Sequence, residues 1–295
     1  MRLISWNCQG LGSPRSVRAL KNLLKSEKSD VIFLMETKSQ LSRMSRIQRS
    51  LKLNNLFTVD ATGTARGLAL LWHDHITIDI RSADKHLIDC EVSSGNHKFW
   101  LSCIYRDSVR GNRHLVWNRI SSFGANRQEP WLCTGDFNSF LGWHEKSGGN
   151  RQGDRDINIF RDFLFTCGLL DLGTNGPAYT WKNRRCGSAN IRIKLDWALA
   201  NVEWQNSFED AAVFIKPVVC SDHNPLLIDT LGGSSSGPRP FCFEAMWIRH
   251  SGCREVVAKA WGSPTIGTVP HPIDQKSTRC RAALKKWNIE EFRHL

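Results

Sequence analysis

The side chains best able to do chemistry in this chain stand at the ends of short apolar runs. Asn7 closes LISWN, Glu36 closes VIFLME and Tyr105 closes SCIY. Asp136 and Asn138 follow WLCT in the string GDFN, Asp196 sits within IRIKLDWALA, and Asp222 and His223 precede NPLLIDT. A continuous apolar run bounded by polar residues reads as a buried strand. Polar groups at the ends of such strands gather on one rim of a sheet, where a ligand can reach them. Carboxylates, amides and an imidazole gathered there would offer oxygen ligands and proton-transfer groups. Singly, each has an ordinary reading. An Asn or Glu after a strand is commonly a turn or surface residue, and GDFN suits an Asx turn. Asp196 could pair with Lys194 or Arg192, and an Asp-His pair is often a capping interaction. The weight lies in the joint pattern.

The elements that would position these residues alternate along the chain. Leu3 to Trp6 and Val31 to Leu34 read as strands, with a helix over Pro14 to Lys28 between them. Further strands are expected at about 67–72, 75–81, 86–93 and 98–105, a helix at about 112–123, and a strand at Trp131 to Thr134. A helix at about 155–167 follows, then strands at about 178–182, 190–199, 210–215 and 225–230. Strands interleaved with helices imply an α+β protein of two mixed sheets packed face to face, helices outside. The string GGSSSGPRP at 232–240 has linker chemistry, which sets 1–231 apart as one domain. Beyond it, 241–295 reads as two helices, about Glu244 to Trp261 and Ser277 to Phe292, too few to bury a core alone.

Composition narrows the class. The net charge of +12 favours a polyanionic partner, although a generally basic surface would give the same number. No apolar stretch is long enough to cross a bilayer, and MRLISWNCQG lacks the apolar core of a signal peptide, so an intracellular protein without a membrane partner is expected. The ten cysteines are scattered and form no C-x-x-C pair, and Cys103, Cys133 and Cys220 sit in apolar runs. They read as buried thiols rather than disulfides or a zinc site.

The ordered strings WN, ET, GDFN, LDW and SDH resemble the endonuclease/exonuclease/phosphatase superfamily over roughly residues 1–230. WNCQGLG, GLALLW, DLGTNGPAYTWKN and SDHNPLLI, with GDFN followed by EKSGG, are similar to endonuclease domains of plant LINE-type (non-LTR) retrotransposons. PFCFEAMW and LKKWN resemble the connector that precedes the reverse transcriptase in those polyproteins. The resemblance implies an exonuclease III-like four-layer α/β/β/α sandwich and a Mg²⁺-dependent nuclease, with Mn²⁺ as a substitute. It would nick one strand of duplex DNA in the nucleus, leaving a 3′-OH to prime reverse transcription. Its partners would be DNA and a downstream reverse transcriptase domain or the element's RNA.

The same resemblance implies roles. Glu36 is the metal ligand, helped by Asn7 through its amide oxygen or a water. Asp196 and His223 form a carboxylate-imidazole pair, and Asp136 stands beside the attacking water. Whether Asp136 or His223 is the base stays open. Asn138 and Tyr105 would donate to phosphate oxygens, and Asp222 would orient the site or touch the metal. Gln9 replaces the Asp of repair relatives, and Lys194 replaces a usual Arg, which loses the planar fork. Arg106, Arg110 and Arg113, with Lys182, Arg184 and Arg185, are expected on the DNA-facing surface, the alternative being solvated loop charge. Trp72, Trp100 and Trp131 read as core, whereas Trp247, Trp261 and Trp287 would be exposed as a docking face. Competing readings are an apurinic-site endonuclease or 3′-exonuclease, a small-molecule phosphatase, and an inactive remnant that only binds nucleic acid.

Overall fold

The computed structural model describes residues 1–60, 67–106, 113–151, 153–217, 220–232, 247, 250–263 and 271–291. The chain divides into two compact units, Met1–Pro240 and Phe241–Leu295. Of the expected linker, 233–240 lie outside the described residues.

The first unit opens with β1 (Arg2–Asn7), α1 (Pro14–Glu27), β2 (Val31–Met35), α2 (Leu41–Leu51), β3 (Asn55–Val59) and β4 (Leu68–Trp72). A meander of β5 (Ile76–Asp84), β6 (Leu87–Ser94) and β7 (His97–Tyr105) leads to α3 (Arg113–Gly124) and β8 (Trp131–Asp136). After these come β9 (Lys146–Ser147), α4 (Arg155–Thr166), β10 (Leu170–Asp171), β11 (Trp181–Lys182) and β12 (Arg192–Ile193). The unit ends with β13 (Asp196–Ala200), α5 (Val202–Ser207), β14 (Ala212–Ile215) and β15 (Leu226–Asp229).

These strands build two six-stranded sheets, β14-β15-β1-β2-β4-β3 and β10-β13-β8-β7-β6-β5, and a small third sheet, β11-β12-β9. Each large sheet is mixed, because β1 with β2 and β7 with β8 run parallel while their other neighbours run antiparallel. Alternation along the strands sorts the layers. Leu3, Val31, Phe33 and Met35 face inward and meet Val92, Leu101, Cys103 and Leu132 of the other sheet. Ile4, Trp6, Ile32 and Leu34 point outward onto Leu20 and Leu23 of α1 and Met44 and Ile47 of α2. The outer face of the second sheet packs on α3 and α4 through Trp117, Ile120, Phe160 and Phe163. The α+β sandwich is therefore α/β/β/α.

Gly135 shows how closely β8 approaches β7. A Cβ there would lie 1.8 Å from the Ile104 carbonyl oxygen, at a φ of +145°. Only glycine fits, and the next residue is Asp136.

Several expectations are corrected. The strand expected at 190–199 breaks at Lys194–Leu195, where Leu195 and Asp196 both donate backbone N–H groups to the Thr180 hydroxyl. The strand expected at 178–182 is ordered as β only at Trp181–Lys182. α2, β3 and α5 were not expected. Trp131 is fully buried, whereas Trp72 and Trp100 are only partly so, and Trp100 carries the Arg127 guanidinium 4.0 Å over its ring. Among the described residues the cysteines are free, and most are buried. No described helix is long and apolar enough to cross a membrane.

The second unit holds α6 (Ser251–Gly262) and α7 (His271–Glu291), both starting away from the expected positions. Residues 244–246 and 248–249 lie outside the described residues. Its helices close on a small core of Trp247, Cys253, Leu284 and Trp287. Of the three tryptophans expected to be exposed only Trp261 is, at 44%, because Trp247 and Trp287 pack edge to face within this unit.

Candidate active site

Strand register brings the polar residues together. Tyr105 is the register partner of Asp136 across β7 and β8, and Asp136 that of Asp196 across β8 and β13. Three neighbouring strands thus present a row of Tyr105, Asp136 and Asp196. In the other sheet, parallel pairing of β1 with β2 ends at Asn7 opposite Met35, with Glu36 next along the chain. Antiparallel β15 contributes through the segment before it, Ser221 to His223. Parallel strands deliver their last residues to this rim and antiparallel strands their first.

The contacts are direct. His223 Nδ1 lies 2.9 Å from Asp196 Oδ2, and its Nε2 faces Asp136 Oδ2 at 3.7 Å. Asn7 Nδ2 donates to Asp136 Oδ2 and to Glu36 Oε1, both at 3.0 Å. Tyr105 donates its hydroxyl to Glu36 Oε1 at 3.1 Å, and Lys38 Nζ stands 3.3 Å from Glu36 Oε2. Asn138 donates its backbone N–H to Asp136 Oδ1 and its amide to the Arg106 carbonyl. Asp222 Oδ2 accepts from Trp181 Nε1 at 2.8 Å. Gln9, Glu36, Tyr105, Asp136, Asn138, Asp222 and His223 line one cleft of about 490 Å³. Around it, Gln9, Glu36, Lys38 and Asn138 all take left-handed φ values, +46° to +50°. Non-glycine residues adopt that conformation rarely, and it concentrates at functional sites.

Burial sets the protonation chemistry. Desolvation pushes the Asp136 carboxyl up to about 7, against the opposing pull of His223 and its hydrogen bonds from Asn7 and Asn138. Burial alone would lower His223, but Asp196 and Asp136 outweigh it and raise the imidazole to about 10. The pair is arranged to hold and pass a proton, with the Asp196 contact fixing which ring nitrogen faces the cleft.

Two groupings could hold a cation. Asp136, Asp196 and His223 bring ligand atoms within 4.8 Å of one another. All three are buried, and Asp136 accepts from Asn7 and Asn138 while Asp196 faces His223. Glu36 lies at the more open side, its side chain 19% exposed, and is bonded by the fully buried Asn7. Asp222 Oδ1 is buried without a hydrogen-bond partner among the described residues. This oxygen-rich donor set fits a hard divalent cation. Cys8 adds no thiolate, since burial raises it to about 12.

Other sequence-derived residues are placed differently. Arg106 is 2% exposed, stacks on Trp117, and donates to the Phe137 carbonyl and to Ser139, so it is a buried brace under the GDFN loop and not a surface cation. Arg110 and the side chain of Arg113 lie outside the described residues. Lys182, Arg184 and Arg185 are exposed on the loop leaving β11, whose Trp181 bridges to His223 and lines the cleft. Asn7 turns its amide nitrogen, not its oxygen, toward Glu36, while the oxygen accepts from Gln9 N. Tyr105 and Asn138, expected to donate to phosphate, here donate within the protein. Lys194 pairs with Asp171 at 2.6 Å and not with Asp196.

Sequence reasoning missed the hydroxyls that hold the site. The Thr180 hydroxyl accepts from Asp196 N, and Ser221 Oγ donates to the Asn7 carbonyl while accepting from His223 N. Trp6 Nε1 adds a bond to the His223 carbonyl. Their only sequence signal is that each sits inside or beside one of the strings already singled out.

Solved structures share this fold. The endonuclease domain of TRAS1, a telomere-specific non-LTR retrotransposon, superposes with a TM-score of 0.55 at 16% identity, over 77% of this chain and 97% of its own. The AP endonuclease LMAP of Leishmania major gives 0.59 at 17%, over 77% and 86%. The 3′ phosphatase NExo of Neisseria, bound to a product DNA hairpin, gives 0.57 at 17%, over 78% and 98%. Identities this low establish the fold alone. No curated protein matches by sequence. A model of the endonuclease/exonuclease/phosphatase family matches residues 4–223, a span that includes every residue of the cleft. The chain belongs to the endonuclease/exonuclease/phosphatase family.

Proposed function

We propose that the chain is a Mg²⁺-dependent endonuclease that nicks one strand of duplex DNA, within a LINE-type retrotransposon of plant type. The observation that carries the nuclease reading is the Asp196–His223–Asp136 line entering the same cleft as Glu36 and Asn7. A cation held by Glu36, with the Asn7 amide turned over to present its oxygen, would stabilise charge on the phosphate oxygens. Water adds to phosphorus and passes its proton to Asp136. The imidazolium of His223, held by Asp196, presents positive charge to the phosphate. The bond to the 3′ oxygen breaks, and that oxygen takes up a proton from solvent to leave a 3′-OH. Asn138 and Tyr105 turn their donors to phosphate once substrate enters.

Lys182, Arg184 and Arg185 supply backbone contacts beside the cleft. The retrotransposon assignment draws on the sequence strings noted above and on the likeness to TRAS1. In that setting the nick primes reverse transcription by a downstream domain, the unit Phe241–Leu295 serves as connector, and the protein acts in the nucleus.

Supercoiled plasmid with Mg²⁺ tests the reading. Open-circle product is expected from the chain and not from His223→Ala, and Mn²⁺ should replace Mg²⁺. Equal product from both, or none from either across several salt concentrations, overturns it. Cleavage confined to abasic duplex would assign the apurinic-site activity instead.

A further inference from the structure

Among the described residues the cleft is lined by Glu36, Asp136 and Asp222, so its floor is acidic. A larger hollow, about 700 Å³, opens at the opposite end of the first sheet. Lys21, Lys25, Lys28, Lys52, His73 and His75 line it, with Ser29 and Asp30. Arg2, at the start of β1, bonds Asp30 here, while Asn7, at the end of β1, reaches the cleft. The two sites are separated by the length of that strand, about 17 Å.

We infer that this hollow is a second nucleic-acid site, which takes the phosphate backbone of a strand other than the one in the cleft. Lys21 and Lys25 lie one turn apart on α1, Lys28 caps its C-terminus in a left-handed conformation, and all three line the hollow. A nucleic-acid backbone presents one charge per nucleotide in a continuous row, so several lysines along one hollow suit it better than a lone anion. The local acids are already partnered. Glu27 pairs with Lys216, and Asp30 is bonded to Arg2 N and His75. The Ser29 hydroxyl is buried at the hollow without a hydrogen-bond partner among the described residues. Cations at a helix C-terminus also suit its dipole, which would account for Lys25 and the capping Lys28 and Lys52. That explanation does not reach Lys21 or the Ser29 hydroxyl.

This goes beyond the nuclease reading and stands without it, because binding is read with EDTA present and no cleavage. The full chain is titrated with single-stranded DNA, single-stranded RNA and duplex DNA at several salt concentrations. Lys21→Glu/Lys25→Glu should weaken binding of at least one of them about tenfold or more and reduce its salt slope by about 2. Lys85→Glu/Lys98→Glu, the same charge change elsewhere, should do markedly less. In the wild-type chain, the bound oligonucleotide should shield Lys21 and Lys25 from acetylation where inorganic phosphate does not. Comparing the three probes identifies the strand. Unchanged affinity and slope, equal weakening by the control pair, or protection by inorganic phosphate alone would each overturn the inference. Both positions are exposed, and Lys21→Gln/Lys25→Gln, with an intermediate effect, separates lost charge from lost fold.

Discussion

The two sheets build their halves of the cleft by different means. The second sheet sets Tyr105, Asp136 and Asp196 side by side in hydrogen-bonded register, so their spacing is that of the strands. The first sheet stops at Asn7 and Met35 and reaches the cleft through Glu36 and Lys38 in left-handed conformations. Asp136 and Asp196 are almost wholly buried, whereas Glu36 is partly exposed and held by an exposed lysine. Proton transfer needs fixed distances and a dry setting. Binding a cation needs a face open to solvent and ligands that can adjust. Each half has the construction its proposed task requires.

Variants on the two sides should therefore fail differently. Asp196→Asn keeps the shape beside His223 but removes the charge that holds the imidazole protonated. The nicking rate at saturating Mg²⁺ should fall on the order of 10³-fold or more, by analogy with other carboxylate-imidazole pairs. The Mg²⁺ concentration for half-maximal rate should stay within about threefold. Glu36→Gln should instead raise that concentration on the order of 10- to 100-fold, with partial recovery in Mn²⁺. A magnesium titration of both variants decides the matter. If Asp196→Asn shifts the metal requirement while Glu36→Gln does not, the division between the sheets is wrong.

What could be read in advance follows the same division. Strand-end polar residues were legible because each closes or opens an apolar run, and the alternating layers were legible from period-2 patterning. The pairing of Asp196 with His223 followed from the resemblance and is present, but the partner of Lys194 was not legible. Asp196 was near in sequence, but the strand breaks at Lys194–Leu195, where Asp196 N bonds the Thr180 hydroxyl, and Lys194 reaches Asp171 instead. Arg106 looked like a surface cation because charge is visible in sequence and burial is not. Its guanidinium is held by Trp117, Ser139 and the Phe137 carbonyl, contacts that exist only after β7 and β8 pair. α2 carries a helical apolar spacing in Leu41, Met44, Ile47 and Leu51 but no side-chain cap at Gln40 to announce it. Trp247 and Trp287 looked exposed because two helices were judged too few to cover them, yet they cover each other.

The smallest expected effect probes the support beneath the rigid half. Glu145 is largely but not fully buried, and its carboxylate accepts from the Leu141 backbone N–H, while its own carbonyl accepts from Lys194 N. Burial pushes its carboxyl up to about 7, only partly offset by the Lys194 charge. The folded state thus holds this proton more tightly than the unfolded chain, whose carboxyl titrates in the ordinary range. Its contribution to stability is complete below about pH 4.5 and is lost as pH rises toward 7. Glu145→Gln removes that loss. Between pH 5 and pH 8 the variant should gain roughly 1–3 kcal/mol on the wild-type chain in urea unfolding. Taking the difference between the two proteins cancels the titration of Asp136 and His223, which both retain. A constant gap across that range would mean that Glu145 is ionised throughout, and that the frame under Lys194 and Asp196 is a charged network and not a neutral one.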